Sequence, residues 1–150
     1  MIYAPTYGRV EKVWWDDRDR LHVLVYIAPT DEHTFHAPVT GEFLHVNTQA
    51  MDKVRRGFRA VEHKRGRLKM QFSGGIQVSI EVGEGYITDL ISLAPDVLFL
   101  PMPVTAGQWL GTIELGSRSE IVIPHAQITA LGFDAVPGTR VYPKIKNFLN

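Results

Sequence analysis

The sequence predicts an all-β chain: a sandwich or barrel of many short strands with internal repeats. Period-two alternation recurs in short runs, most strictly in Ile76-Gln77-Val78-Ser79-Ile80-Glu81-Val82. Gly and Pro turn signals cut the chain between those runs. Two short echoes also recur: Ala4-Pro5-Thr6-Tyr7-Gly8-Arg9-Val10 as Ala37-Pro38-Val39-Thr40-Gly41-Glu42-Phe43, and Val104-Thr105-Ala106-Gly107-Gln108-Trp109-Leu110 as Ala135-Val136-Pro137-Gly138-Thr139-Arg140-Val141.

The elements follow in order. Ala4 to Gly8 is a turn leading into a strand through Val10, Val13, Trp14 and Trp15, and Asp16-Asp17-Arg18-Asp19-Arg20 is a solvated hairpin tip. Leu21, Val23, Val25 and Ile27 alternate with His22, Leu24 and Tyr26, which predicts a strand with both faces at least partly buried; His22 reads as a strand residue rather than a catalyst. Ala28 to Gly41 is a loop shaped by Pro29, Pro38 and Gly41, with His33 and His36 inside it. Glu42 to Asn47 is a strand, and Thr48 to Arg56 a short helix or loop. A basic run follows from Lys53 to Lys69, read as a hairpin centred on Lys64-Arg65-Gly66-Arg67. Gly83-Glu84-Gly85 turns the Ile76–Val82 strand, and Tyr86 to Ser92 returns. Val97 to Val104, broken by Pro101 and Pro103, is an edge or a loop. Two short strands meet at Gly116-Ser117, and two more follow Pro124.

At 150 residues the chain is one domain, 1–150, able to bury a core without staples. Lys+Arg and Asp+Glu are both 16, so no global field points to nucleic acid or membrane. The absence of cysteine removes disulfides, thiolate nucleophiles and Cys-ligated zinc, and fits a cytoplasmic protein. No apolar run approaches the roughly 20 residues of a membrane span, and Met-Ile-Tyr-Ala-Pro-Thr lacks the features of a signal peptide. The Lys53–Lys69 run is either a solubilising hairpin or a patch for anionic headgroups, worth about 1 kcal/mol per basic group near such a surface. Its thin aromatic content (Phe58, Phe72) disfavours nucleic acid.

Gly116-Ser117 carries the chemistry. Gly116 lets the backbone bend and leaves its carbonyl open, and Ser117 has a hydroxyl one residue away. That pairing suits an N→O acyl shift, in which Ser117 Oγ attacks the Gly116 carbonyl and an ester replaces the peptide bond. Elimination from the ester leaves dehydroalanine, which hydrolyses to a pyruvoyl group and ammonia. Most Gly-Ser pairs are turns. The histidine loop reads equally as a polar loop or a weak two-histidine metal site, the metal disfavoured for want of a third ligand cluster.

Leu115-Gly116-Ser117-Arg118, entered by Gly-x-x-x-Gly-x-x-x-Leu and left by an apolar strand ending in Pro124, resembles the cleavage site of the phosphatidylserine decarboxylase family. Pro29, Asp31, His33, His36, Pro38 and Gly41 match its Pro-x-Asp-x-His-x-x-His-x-Pro-x-x-Gly segment. The resemblance spans nearly the whole chain and implies self-cleavage into a β chain, 1–116, and an α chain, 117–150. It implies a pyruvoyl cofactor made from Ser117, which forms a Schiff base with the substrate amine and takes up the electrons released as carbon dioxide leaves. His33 is then the acid for decarboxylation, and His36 the base that activates Ser117. The implied substrate is phosphatidylserine or a related amino acid. Peripheral membrane contact and a homo-oligomer are the further partner expectations.

Two departures stand out. The family's Asp in Pro-x-Asp-Gly is here Tyr7, which removes the carboxylate that orients the histidine; Asp31 is the first replacement to consider, with Asp16 and Asp17 behind it. The Asn-Glu-Arg motif usual in lipid-cleaving members is not found. Two other readings therefore stand beside a decarboxylase: a non-maturing homologue serving as a binding module, and a carrier domain. The echoes support the carrier, because their patterns are those of barrel-sandwich hybrids such as lipoyl and biotinyl domains. Lys69 is a weak candidate for its modified lysine.

Overall fold

The computed structural model describes residues 1–56, 61–82, 91–93, 99–113 and 116–144, with segments 48–56, 61–66, 82, 91–93 and 116–117 described by their backbone alone. The strands are β1 (Gly8–Trp15), β2 (Arg20–Tyr26), β3 (Thr34–His36), β4 (Gly41–Arg56), β5 (Val61–Phe72), β6 (Gln77–Val82), β7 (Ile91–Leu93), β8 (Met102–Val104), β9 (Trp109–Ile113), β10 (Gly116–Pro124) and β11 (Arg140–Val141). They form an eight-stranded antiparallel sheet in the order β11-β1-β2-β10-β6-β5-β4-β8 and a second sheet, β3-β9-β7. The mostly β expectation holds, but no closed barrel forms among the described residues: β11 and β8 end the large sheet as separate edges.

Period-two alternation builds the large sheet's inner face. Val10, Val25, Ser119, Ile80 and Leu68 lie side by side in one cross-strand row, and Val13, Val23, Ile121, Val78 and Met70 in the next. All but Val13 are buried, as are Phe35, Phe43, Phe72 and Leu110. Each such apolar side chain contributes about 1.5–3 kcal/mol over its exposed state, so burial of this face holds the strand order.

The outer face is polar. At the β1–β2 tip the ring of His22 stacks on Trp14 with centroids 4.8 Å apart. Its two nitrogens lie 2.7 Å from Asp16 Oδ2 and Glu120 Oε1. Hydrogen bonds from His22, the Arg20 guanidinium and two backbone amides hold the Asp16 carboxyl below the usual carboxylate range. The hairpin expected at Asp16–Arg20 is there, and His22 is a tethered strand residue.

Three expectations are corrected. Thr48 to Arg56 is neither helix nor loop, since β4 continues to Arg56 against β5. Lys64-Arg65-Gly66-Arg67 is no hairpin tip: it lies within β5, with Gly66 between Ala50 and Val82. Strand ladders satisfy backbone groups at these positions and override the local turn signal of Gly66. At the end of the return expected from Tyr86, Ile91–Leu93 lies against β9 rather than β6. The Gly83-Glu84-Gly85 turn, Tyr86 to Leu90, Phe58, Arg59, Val97, Leu98 and the chain beyond Lys144 lie outside the described residues. β8 is an edge strand, as Pro103 within it requires. Among the described residues no helix is long and apolar enough to cross a membrane.

Candidate active site

The histidine loop is built by its own polar residues. The Asp31 carboxylate accepts the Ala28 N–H at 2.8 Å and the Arg140 guanidinium at 3.0 Å. Its main-chain carbonyl accepts His33 Nδ1–H at 2.7 Å, which leaves Nε2 as the nitrogen able to gain and give a second proton. The chain then enters β3, where Phe35 is fully buried between the Thr6 bridge and Gly111.

His36, at the end of β3, is held from three directions. Its N–H donates to Pro5 O at 2.8 Å. Its Nδ1 is 2.9 Å from Gly107 O, and a carbonyl only accepts, so Nδ1 carries the proton. Nε2 is then the bare nitrogen, and the Thr34 hydroxyl donates to it at 2.9 Å. Burial lowers the pKa of His36 below the ordinary imidazole value; the Gly107 carbonyl and the Glu32 charge oppose that in part. A neutral imidazole of fixed tautomer is what a general base requires. Gly107 belongs to the turn Thr105–Gln108, which with Lys144 lines a cleft of about 510 Å³.

The Gly116–Ser117 step lies at a break in the ladder. Gly116 faces Val82 and Arg118 faces Glu81 on β6, while pairing with β2 begins only at Arg118 opposite Tyr26. Ser117 is therefore the extra residue of a β-bulge, a device over-represented beside active sites. Its side chain and residues Glu114 and Leu115 lie outside what is described. The connection to the histidine loop is short all the same. The Ile113 N–H donates to His33 O at 2.8 Å, and the four residues from Ile113 to Ser117 span at most about 14 Å.

Thr6 is bridged to Phe35 of β3, and Ser119 lies two residues beyond Ser117. Both are buried, and their hydroxyl oxygens are 2.6 Å apart. Tyr7 presents an edge to His36, with centroids 6.2 Å apart and planes at 76°. Burial first, then the neighbouring Glu32 carboxylate, raises the Tyr7 pKa, so the phenol is neutral at pH 7.

His33 and His36 share one loop and strand, each with Nδ1 on a main-chain carbonyl. Asp31 bonds to neither ring through its carboxylate, which is engaged by Ala28 and Arg140. Asp16 is tied to His22 and Arg20 at the hairpin tip. Glu32 is the carboxylate whose charge reaches both Tyr7 and His36. Glu32 stands in the matched segment and could have been read there. Thr6 was marked only by the first echo and Gly107 by the second and by the Gly-x-x-x-Gly spacing before Leu115, while Thr34 and Ser119 carried no signal.

A family model described as phosphatidylserine decarboxylase matches residues 9–142 of the chain. No curated protein and no solved structure matches it. The chain belongs to the phosphatidylserine decarboxylase family.

Proposed function

We propose that this member of the phosphatidylserine decarboxylase family cuts its own backbone at Gly116–Ser117 and becomes a pyruvoyl-dependent decarboxylase of phosphatidylserine or a related amino-acid substrate. The observation that carries the reading is the β-bulge at Ser117, four residues from the strand end bonded to the histidine loop. A residue left out of the ladder can bring a hydroxyl onto the preceding carbonyl without breaking sheet hydrogen bonds. His36, neutral and with Nε2 as its acceptor, takes the Ser117 proton once the Thr34 hydroxyl turns away from that nitrogen. The Oγ–C bond forms, the Gly116–Ser117 C–N bond breaks, and the amine gains a proton. Loss of the Ser117 α-proton then expels the Gly116 carboxylate, and water replaces nitrogen, released as ammonia, at the new N-terminus.

The residues present fit a pyruvoyl group there: a backbone step at a break in the ladder, two histidines anchored through Nδ1, and no cysteine to add to a ketone. When formed, the group supplies the electron sink that side chains lack. His33 is the proton donor of the decarboxylation step, and His36 serves maturation.

Denaturing mass spectrometry tests the reading. Fragments 1–116 and 117–150 are expected, and Ser117→Ala should leave one chain. His33→Ala should still yield both fragments while losing carbon dioxide release. An intact wild-type chain after long incubation at neutral pH would overturn the proposal. It would favour a non-maturing binding module, the reading suggested by the neutral phenol of Tyr7 beside His36.

A further inference from the structure

Ser119 is out of place by composition. It sits on the inner face of β10 between Val25 and Ile80, in a row otherwise apolar from Val10 to Leu68. Thr6 is fully buried too, and its hydroxyl is the partner at 2.6 Å. An unpaired hydroxyl there would be destabilising, whereas an apolar pair would hold the sheet about as well. What two hydroxyls add is a directed link between particular strands.

That link has one end on each side of the proposed reaction. Thr6 is bridged to Phe35, and the preceding Pro5 carbonyl accepts the His36 N–H at 2.8 Å, so its backbone is fixed to the strand of the base. Ser119 lies two residues beyond Ser117, just past the bulge. A bulge bends and twists its strand, so the direction of the Gly116–Ser117 peptide depends on where the strand is pinned next. Pairing with Val25 and Ile80 fixes Ser119 along the sheet, and Thr6 fixes it toward the histidine strand.

We propose that Thr6 and Ser119 are positioning residues for self-cleavage, a buried hydroxyl link that sets the approach of the Ser117 bulge to His36. The inference rests on the proposed maturation and touches no reacting atom. Misplacement by about 1 Å costs on the order of 100-fold in rate.

The test measures fragment half-time and urea midpoint together for the full chain. Thr6→Val should slow cleavage by roughly 10- to 100-fold and lower the midpoint. Thr6→Ser should keep both near wild type. In the double variant Thr6→Val/Ser119→Ala no hydroxyl is stranded, so the midpoint should recover while cleavage stays slow. Recovery of the rate along with the midpoint would overturn the proposal by reducing the pair to a stability element. If Thr6→Val alone fails to fold, the double variant decides in the same way. A wild type that never cleaves removes the function reading and this inference together; a cleaving wild type matched by the double variant removes this one alone.

Discussion

Two turns in this molecule are built alike and hold different side chains. In Thr105–Gln108 the Gln108 N–H donates to Thr105 O at 2.9 Å; in Val136–Thr139 the Thr139 N–H donates to Val136 O at 3.1 Å. Gly107 and Gly138 both adopt φ of +90°, where glycine alone is unstrained. Gly107 N and Gln108 O bracket Ala37 at 2.8 and 2.9 Å, and Gly138 N and Thr139 O bracket Val10 at 2.7 and 2.8 Å. In each case the glycine carbonyl accepts from the side chain one residue earlier, His36 Nδ1 at 2.9 Å or Arg9 Nη1 at 3.0 Å. The same backbone device thus fixes an imidazole in one copy and a guanidinium in the other. A guanidinium has no acceptor and stays charged, so the Arg9 copy can only hold β1 to its turn. A half-buried imidazole with one nitrogen committed can act as a base. The repeated architecture provides the socket, and one side chain decides whether it has chemistry.

The largest expected difference between the copies is in cleavage itself. His36→Ala should slow fragment formation by about 100- to 10,000-fold, the usual worth of a general base, while Arg9→Ala leaves the half-time near wild type. Equal effects on time courses run side by side would break the distinction between a working and a structural turn.

Stability should separate the copies next. Alanine at φ +90° costs about 1–3 kcal/mol at either glycine. At Gly107 a Cβ would also run into the Lys144 carbonyl oxygen, whereas at Gly138 nothing lies within 4 Å. Gly107→Ala should therefore lose a further ~1–3 kcal/mol by overpacking and slow cleavage, with Gly138→Ala functionally silent. Urea unfolding of the two variants checks this, and matching midpoints would mean the crowding at Gly107 relaxes freely.

The smallest effect concerns charge. Burial lowers the His36 pKa, so the ring stays neutral through pH 7, and the proposed cleavage should fall only as pH drops through a value below the ordinary imidazole range. By the same sign, the stability tied to neutral His36 is full above the ordinary value and is lost as pH falls. Glu32 opposes the shift, so Glu32→Gln should move the acidic limb of the cleavage profile to still lower pH. An unmoved limb in the pH–rate curve would show that this exposed carboxylate is screened from the ring.

The fold was legible where neighbours in sequence are neighbours in space. The β1–β2 hairpin with its Asp16–Arg20 tip follows from alternation and a charged turn, as does the strand Gln77–Val82. The second echo, read from the sequence only as a repeat with a barrel-sandwich pattern, covers both of the like turns. Thr48–Arg56 was misread because its partner, β5, supplies the ladder that local propensity could not reveal. In the candidate site, His33, His36 and Ser117 are chemically conspicuous residues in short motifs. Gly107 and Ser119 are not, and their bonds to His36 and Thr6 span 71 and 113 residues.

By itself the sequence determined the β class, the two-histidine loop and the Gly-Ser junction, because alternation, turn chemistry and side-chain type are local properties. Only the tertiary structure decided that His36 carries its proton on Nδ1, that Asp31 is occupied by Arg140 while Glu32 acts on the ring, and that Ser117 falls in a bulge. Each of those depends on which distant carbonyl, cation or strand arrives beside the residue. Hydrogen-bond direction and strand register exist only once the chain has closed on itself.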